Sequence, residues 1–539
     1  MPRVLICDRL EEAGLEILRR AGLEVEERPG LTGTDLEAAL READGVIVRS
    51  GTRLTAPLLE GASRLRAVVR AGVGVDSIDV AAATRRGIVV MNTPSGNTVS
   101  TAEHTLAMLL ALARHIPAAD VSVKQGRWER SKWVGTQLAG KTLGIVGLGR
   151  IGREVARRAA AFDMKLIGFD PFLTAERIAH LGVEPVGRLE NLLERCDILT
   201  LHVPLTEETR HMIGANQLAR MKPGAWLINC ARGGLVDEAA LAEALNAGRI
   251  GRAALDVFET EPPPPDHPLL RAPNLICTPH LGASTVEAQR SVAMEAAQLM
   301  TDFLIRGIVQ CAVNMATVDR LELEDLRPYL NLAWRLGLLH AQMDQGAIRR
   351  CTLHYRGELA DKNIRLLTAA FAAGLLELHL SGSVNVVNAE LLARERGIEL
   401  IEQASRSPGD FSNTLRVEVE TEKKTYIAGG TLFGNQFYRL VQLGPYRLDT
   451  YLDGNLLIFS HRDVPGLIGF IGTIFGKHGV NIAQMTVGRQ VPGGEAIAVL
   501  NLDSPPPDEA LAEIRTHPQI SSISVVRLPP QTAGPAWLG

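Results

Sequence analysis

The sequence predicts an α/β protein with two doubly wound parallel sheets, followed by two smaller α+β units. Three observations carry that expectation. Short apolar runs such as RVLIC, GVIVR and LRAVVRAG alternate with helical stretches such as EEAGLEILRRAG and DLEAALREA, the β-α-β rhythm of a parallel sheet. The rhythm continues to about residue 282, where STVEAQRSVAMEAAQLMTDFLIRG reads as one long amphipathic helix. From about residue 316 a different composition sets in, with its own strands and the glycine-rich turn AGGTLFGN, and a third begins near residue 453.

Size and composition bound the function. A chain of 539 residues is too long for one core, and roughly 100 to 200 residues per domain gives three or four units. Apolar residues make up 46% and charged residues 22%, and the net charge is only -4. That balance disfavours a nucleic-acid or anionic-membrane partner and leaves small molecules as the default. Six scattered cysteines without a C-x-x-C pair point to reduced thiols in a cytoplasm, with neither a disulfide framework nor a metal site expected. The N-terminal MPRVLICDRLEEAG turns polar too soon for a signal peptide and reads as a first strand. The most apolar helical run, AEHTLAMLLALARHI, is broken by Glu103, His104 and Arg114, so it does not read as membrane-spanning.

The strongest cofactor signal is KTLGIVGLGRIGREVARRAAAFDMKLIGFD. A strand, Leu143 to Val146, precedes Gly147-x-Gly149-x-x-Gly152, then a helix, then a second strand ending at Asp170. Gly147 permits the tight turn, Gly149 lets the backbone approach a pyrophosphate, and Gly152 lets helix pack on strand. The helix N-terminus offers free N–H groups and the positive end of its dipole. Asp170 either caps a turn before Pro171 or accepts from both ribose hydroxyls and repels a 2′-phosphate, which favours NAD over NADP.

A nicotinamide cofactor implies hydride transfer, which needs a proton relay and a holder for the substrate. Arg232 in NCARGG, Glu261 in DVFETEPPPP and His280 in NLICTPHLGAST follow apolar runs whose carboxyl ends would meet in one crevice. Arginine can grip a carboxylate bidentately, and histidine can exchange a proton near neutral pH with a carboxylate orienting its ring. Singly, these are an ordinary solvated arginine, a capped turn and a loop stiffened by prolines; together they favour a site.

VGLGRIG, NCARGGLVDE, ALDVFETEP and TPHLGAST, in that order, resemble the D-isomer-specific 2-hydroxyacid dehydrogenase family. The segments VRSGTRLT, VRAGVGVDSIDVAAATRRGIVVMNTPSGNT and GRWERSKWVGTQLAGKTLG narrow the resemblance to members that oxidise D-3-phosphoglycerate to 3-phosphohydroxypyruvate with NAD, the entry to serine biosynthesis. The resemblance covers about residues 3 to 315. It implies two Rossmann-like lobes, a substrate-binding domain of residues 1–97 and 283–315 and an NAD-binding domain of residues 98–282, with a hinge closing over the substrate.

The same resemblance implies that His280 takes the C2 hydroxyl proton, Glu261 pairs with it, and Arg232 anchors the substrate carboxylate and reacting oxygen. Gly147, Gly149, Arg150, Ile151 and Gly152 would meet the pyrophosphate and Asp170 the ribose, while His202 and Pro204 line the adenine side. Cys230, Ala231, Gly282 and Ala283 would border the cofactor, and Asp256 its carboxamide. Arg49 and Arg70 would take the substrate phosphate, helped by Arg130 reaching across from a second subunit. The backbone of Gly72, Val73 and Gly74, with Asn97 nearby, would contact the carboxylate.

NLLIFSHRDVPGLIGFIGTIFGKHGVNIAQMTVGR resembles a βαββαβ ACT domain, residues 453–527, with an Asp463-to-Gly466 turn, a Gly479 cap and a strand after Asn481. Such domains pair edge to edge and bind L-serine, with His461, Asp463 and Asn481 at matching positions; a purely dimerising pair is the alternative. Residues 316–452 resemble the intervening domain of the long form, where Asn385, Asn388 and Gly430 fall in recognisable motifs without an assigned ligand. The tail PPQTAGPAWLG, residues 528–539, has no periodicity and reads as loose. The resemblance further implies a homotetramer. Two other readings stay open: a glyoxylate, hydroxypyruvate or 2-oxoglutarate reductase of the same family, and a non-catalytic NAD sensor.

Overall fold

The protein is described here from a computed structural model, covering every residue except 318–319, 344–345, 381–382, 408, 435 and 539. The first parallel sheet orders its strands Glu24–Glu27, Arg3–Ile6, Gly45–Val48, Ala67–Arg70 and Val89–Asn92. Gly45–Val48 is buried throughout, as a strand covered by helices on both faces must be. The chain then leaves and returns. Helix Val286–Arg306 packs on helix Glu12–Arg20, with Gly14 so close that a Cβ there would lie 2.7 Å from Ala293 O. Residues 311–314 then line up beside Val89–Asn92, with Asn92 N–H donating to Cys311 O and Val313 N–H to Val90 O.

The second parallel sheet runs Leu275–Cys277, Ile250–Leu255, Ala225–Asn229, Ile198–Leu201, Thr142–Val146, Lys165–Phe169 and Glu184–Pro185. The first strand in sequence, Thr142–Val146, lies beside the fourth, Ile198–Leu201. The winding therefore reverses between them, and a ligand crevice forms at their carboxyl ends. Helix Thr98–Ala113, the first element after the chain leaves the first sheet, buries Ala102, Leu106, Leu109 and Leu112 in the core of the second. Among the described residues no single helix is long and apolar enough to cross a membrane. That helix and Ile116–Lys124 pass such a test only as a pair bent by 61°.

A six-stranded sheet follows, ordered Glu399–Ser405, Ile348–Gly357, Asn413–Thr421, Thr425–Phe433, Phe437–Leu443 and Tyr446–Tyr451, with only its first pair parallel. Helices Arg320–Ala341 and Ile364–Glu377 share its core. Asn385 and Asn388 dock this unit on the first lobe: Asn385 Nδ2 donates to Gly87 O at 2.9 Å and Asn388 Nδ2 to Arg85 O at 3.2 Å.

The last sheet, ordered Ile482–Arg489, Glu495–Leu502, Asn455–Arg462 and Ile520–Arg527, is antiparallel, and helices Leu467–Lys477 and Asp508–Arg515 pack on it in the expected βαββαβ order. The tail is not loose. Arg335, 0% exposed, donates to Asn331 Oδ1 and to the carbonyls of Leu452, Pro529, Pro530 and Ala533, while its guanidinium lies 4.6 Å from the Tyr438 ring centre. Hydrogen bonds from one buried side chain to main-chain carbonyls therefore anchor a segment that has no hydrophobic period to announce it.

Candidate active site

Three adjacent parallel strands end at Asn229, Leu255 and Cys277, and the loops that follow carry Arg232, Glu261 and His280. Parallel pairing puts those ends on one rim, so residues far apart in sequence converge. His280 Nδ1 lies 2.8 Å from Glu261 Oε2, and Glu261 Oε1 accepts from the Phe258 N–H at 3.1 Å. Facing a carboxylate, Nδ1 must carry the hydrogen, which leaves the Nε2 lone pair free. Burial pushes the Glu261 carboxyl up, but the hydrogen bonds from His280 and Phe258 outweigh it and hold the group below its ordinary range. The carboxylate holds the imidazole ring in place.

A cavity of about 270 Å³ opens beside it, lined by Arg232, His280, Gly282 and Ala283 on the rim, by Cys230 and Ala231, by Arg150, Ile151, His202 and Pro204 from the switch point, and by Val73 and Asn97 from the first lobe. Asn97 contributes a buried Oδ1 without a hydrogen-bond partner among the described residues. His202 is pulled down to about 4 by burial and stays neutral. Its Nε2 meets Thr200 Oγ1 at 3.0 Å. The Cys230 thiol is pushed up to about 12 by burial, which excludes a thiolate nucleophile there at neutral pH.

The glycine loop fits a dinucleotide. Gly147 has φ +88, and a Cβ on it would lie 2.5 Å from His202 O; a Cβ on Gly152 would lie 2.0 Å from Gly147 O. A Cβ on Gly149, by contrast, would face open space at the start of helix Arg150–Ala160, where phosphate oxygens could meet free N–H groups. Asp170, just past strand Lys165–Phe169, accepts from the N–H of Leu148 and of Phe172, both at 2.9 Å, and each oxygen retains a lone pair toward a ribose.

Arg49 and Arg70 do not line the cavity, but their charges lie close to Arg232, which does. Arg70 is pulled down to about 10 by burial and then by the neighbouring charges of Arg232 and Arg49, and its buried Nε has no partner among the described residues. The carboxylates of Asp76 and Asp8 offset that effect only in part. Glycines make room for these arginines: a Cβ on Gly72 would land on the Arg70 guanidinium, and one on Gly74 would lie 2.2 Å from Arg232 Nη2. Two contacts that sequence reading missed bridge the lobes. Arg232 Nε lies 3.3 Å from Asp76 Oδ2, and Arg150 Nη1 donates to Ser95 Oγ at 2.7 Å. Each needs the cleft geometry to be seen.

Of the expected site residues, Arg49, Arg70, Gly72 and Gly74 group around Arg232 without lining the cavity, and two others stand elsewhere. Asp256 is 1% exposed and lies beneath the cavity wall instead of on it, its oxygens taken by Thr278 Oγ1 and the N–H groups of Leu281 and Gly282. Arg130 sits in an exposed 3-10 turn, Arg130–Lys132, and is not among the cavity's lining residues. In the C-terminal unit Asp463 Oδ2 accepts from Arg489 and the Gly493 N–H, Asn481 Nδ2 donates to Asp503, and the Nε2 of buried His461 has no hydrogen-bond partner among the described residues.

Comparison with known proteins assigns the class. Residues 106–282 match the model of the D-isomer specific 2-hydroxyacid dehydrogenase NAD binding domain, residues 325–444 the D-3-phosphoglycerate dehydrogenase intervening domain, and residues 455–519 the ACT domain. Among solved structures, the TT0316 protein from Thermus thermophilus is 38% identical, with a TM-score of 0.52 over 58% of this chain and 99% of its own. An NAD-dependent formate dehydrogenase from Staphylococcus aureus in complex with NAD is 31% identical, with a TM-score of 0.53 over 59% of this chain and 100% of its own. Fold and site are those of an NAD-dependent oxidoreductase. D-3-phosphoglycerate dehydrogenase from Methanocaldococcus jannaschii is 43% identical over 98% of this chain and 100% of its own, and the Bacillus subtilis enzyme of that name is 42% identical over the same shares. The chain belongs to the D-3-phosphoglycerate dehydrogenase family.

Proposed function

We propose that the protein oxidises D-3-phosphoglycerate to 3-phosphohydroxypyruvate with NAD, the first step of L-serine biosynthesis. The observation that carries this reading is one crevice that His280, paired with Glu261, a dinucleotide loop and Arg232 share, with the Arg49 and Arg70 charges of the first lobe close to Arg232. Bound NAD supplies the hydride acceptor. His280 Nε2 takes the C2 hydroxyl proton, and Glu261 holds the ring and favours the imidazolium that results. Arg232 fixes the carboxylate and the reacting oxygen, whose charge builds toward the guanidinium. Arg49 and Arg70 take the phosphate, and Asn97 completes the carboxylate side.

Two finer features go with this reading. L-serine binds between paired ACT units near His461, Asp463 and Asn481. The protein acts in the cytoplasm as a homotetramer, with the cofactor lobe as one contact, a role that fits the exposed Trp128 and Val134 flanking Arg130.

Steady-state NADH formation tests the activity, with 3-phosphoglycerate and unphosphorylated D-glycerate as substrates and with and without L-serine. Preference for the phosphorylated acid is expected. Equal turnover of both acids would favour another D-2-hydroxyacid dehydrogenase, and NAD binding without turnover of either would favour a sensor. Arg49→Ala should raise KM for 3-phosphoglycerate about tenfold or more with KM for NAD nearly unchanged, since a charged hydrogen bond contributes about 1.5–3 kcal/mol. A parallel rise in both constants would remove Arg49 from the phosphate site.

A further inference from the structure

Beneath His280 lies a polar cluster that neither hydride transfer nor anion binding uses. Helix Thr98–Ala113 presents Ser100, Thr101 and His104 to the turn of residues 278–282. Ser100 Oγ donates to Gly282 O at 2.7 Å, and Thr101 Oγ1 donates to the same carbonyl at 3.2 Å. His104 Nε2 stands 3.1 Å from both Asp256 Oδ1 and Thr278 Oγ1. The single hydroxyl hydrogen of Thr278 goes to Asp256 Oδ1 at 2.6 Å. Nε2 therefore faces two acceptors and must itself carry a hydrogen. Asp256 passes the constraint on, accepting from the N–H groups of Leu281 at 2.7 Å and Gly282 at 2.9 Å. Both ends of the turn are held. At its tip His280 has φ +55, a left-handed conformation that a non-glycine residue keeps only where its surroundings impose it.

We infer that His104 is a positioning residue for proton transfer: donating from Nε2 to Asp256 and Thr278, it fixes the turn that aims His280. The inference rests on the reading of His280 as the acid/base and deepens it. His104 touches neither the cavity nor Glu261. It acts through the buried Asp256 carboxylate, which would otherwise lack its side-chain N–H donor.

The full-length protein tests this with His104→Leu and His104→Gln. In His104→Leu, kcat for 3-phosphoglycerate should fall about tenfold with KM for NAD and for the acid within about twofold, because misaiming the base affects the transition state and leaves ground-state binding alone. His104→Gln should recover kcat to within about threefold of the parent, since its Nε2–H reaches the same acceptors. Amide hydrogen exchange at Leu281 and Gly282, read without NAD or substrate, should speed up in the leucine variant and return to the parent rate in the glutamine variant. Equal kcat in the two variants, or exchange unchanged by His104→Leu, overturns the proposal. Should His104→Leu not fold, Thr278→Val, near-constant in volume, is expected to give the same loss of kcat and the same faster exchange, and parent-like values would overturn it. Exchange needs no turnover. A parent that binds NAD but does not oxidise 3-phosphoglycerate would defeat the proposed activity, while the exchange rates would still decide whether His104 holds the turn.

Discussion

His280→Ala is expected to lower kcat about a thousandfold while NAD still binds, because general acid–base groups contribute on the order of 10²–10⁴ in rate. The loss should be read as NADH formation from 3-phosphoglycerate, and retained binding as quenching of protein fluorescence by NADH. The reason is geometric: the ring's Nδ1 is committed to Glu261 at 2.8 Å, so Nε2 alone faces the cavity as a proton acceptor. Cys230 is a buried thiol and His202 a half-buried ring held neutral, and neither replaces it. Glu261 sets an acid limit on this arrangement. Its carboxyl is depressed in the folded protein, so the stabilisation it gives is present above the ordinary carboxylate pKa and is lost as pH falls through the lower folded value. Turnover of the alanine variant at the parent rate would end the mechanism.

Arg335→Met should cost the C-terminal half about 2 kcal/mol of stability, read from urea unfolding, and should make the tail beyond Pro530 open to carboxypeptidase. The side chain is fully buried, and removing the guanidinium leaves Leu452 O and Pro529 O without their side-chain donor, while Pro530 O keeps the Ala533 N–H and Ala533 O keeps Asn331 Nδ2. Each carbonyl left without a partner costs about 1 kcal/mol or more. Methionine refills most of the volume but supplies no N–H. An unchanged unfolding midpoint and a protected tail would mean that these carbonyls find water at no cost.

The central parallel strands were legible because burial on both faces turns them into apolar runs, and those ending at Asn229 and Cys277 are followed by glycine or proline close to a functional side chain. Arg232 and His280 stood out for that reason. Asp256 follows an apolar run in the same way, and nothing local distinguishes it. Its oxygens serve donors on residues 278, 281 and 282, and His104 stands 3.1 Å from one of them on a helix some 150 residues away in sequence. Arg335 reads as the polar position of an amphipathic helix, LNLAWRLGLLH, because partners that are main-chain carbonyls leave no trace in side-chain patterning. The tail was unreadable for the same reason. Contacts across the cleft, Arg232 with Asp76 and Arg150 with Ser95, depend on how two separately folded lobes meet, which periodicity does not encode.

The two asparagines that dock the six-stranded unit on the first lobe grip only main-chain oxygens, those of Gly87 and Arg85. A carbonyl is present whatever side chain its residue bears, so the contact is blind to most substitutions on the surface it holds. Residues 85 and 86 are free to drift without loosening it. Position 87 is the exception: its φ is +71, and a Cβ there would lie 2.4 Å from Asn385 Nδ2. For these two hydrogen bonds, the demand on the receiving side thus narrows to a single glycine, while the giving side must keep both amides.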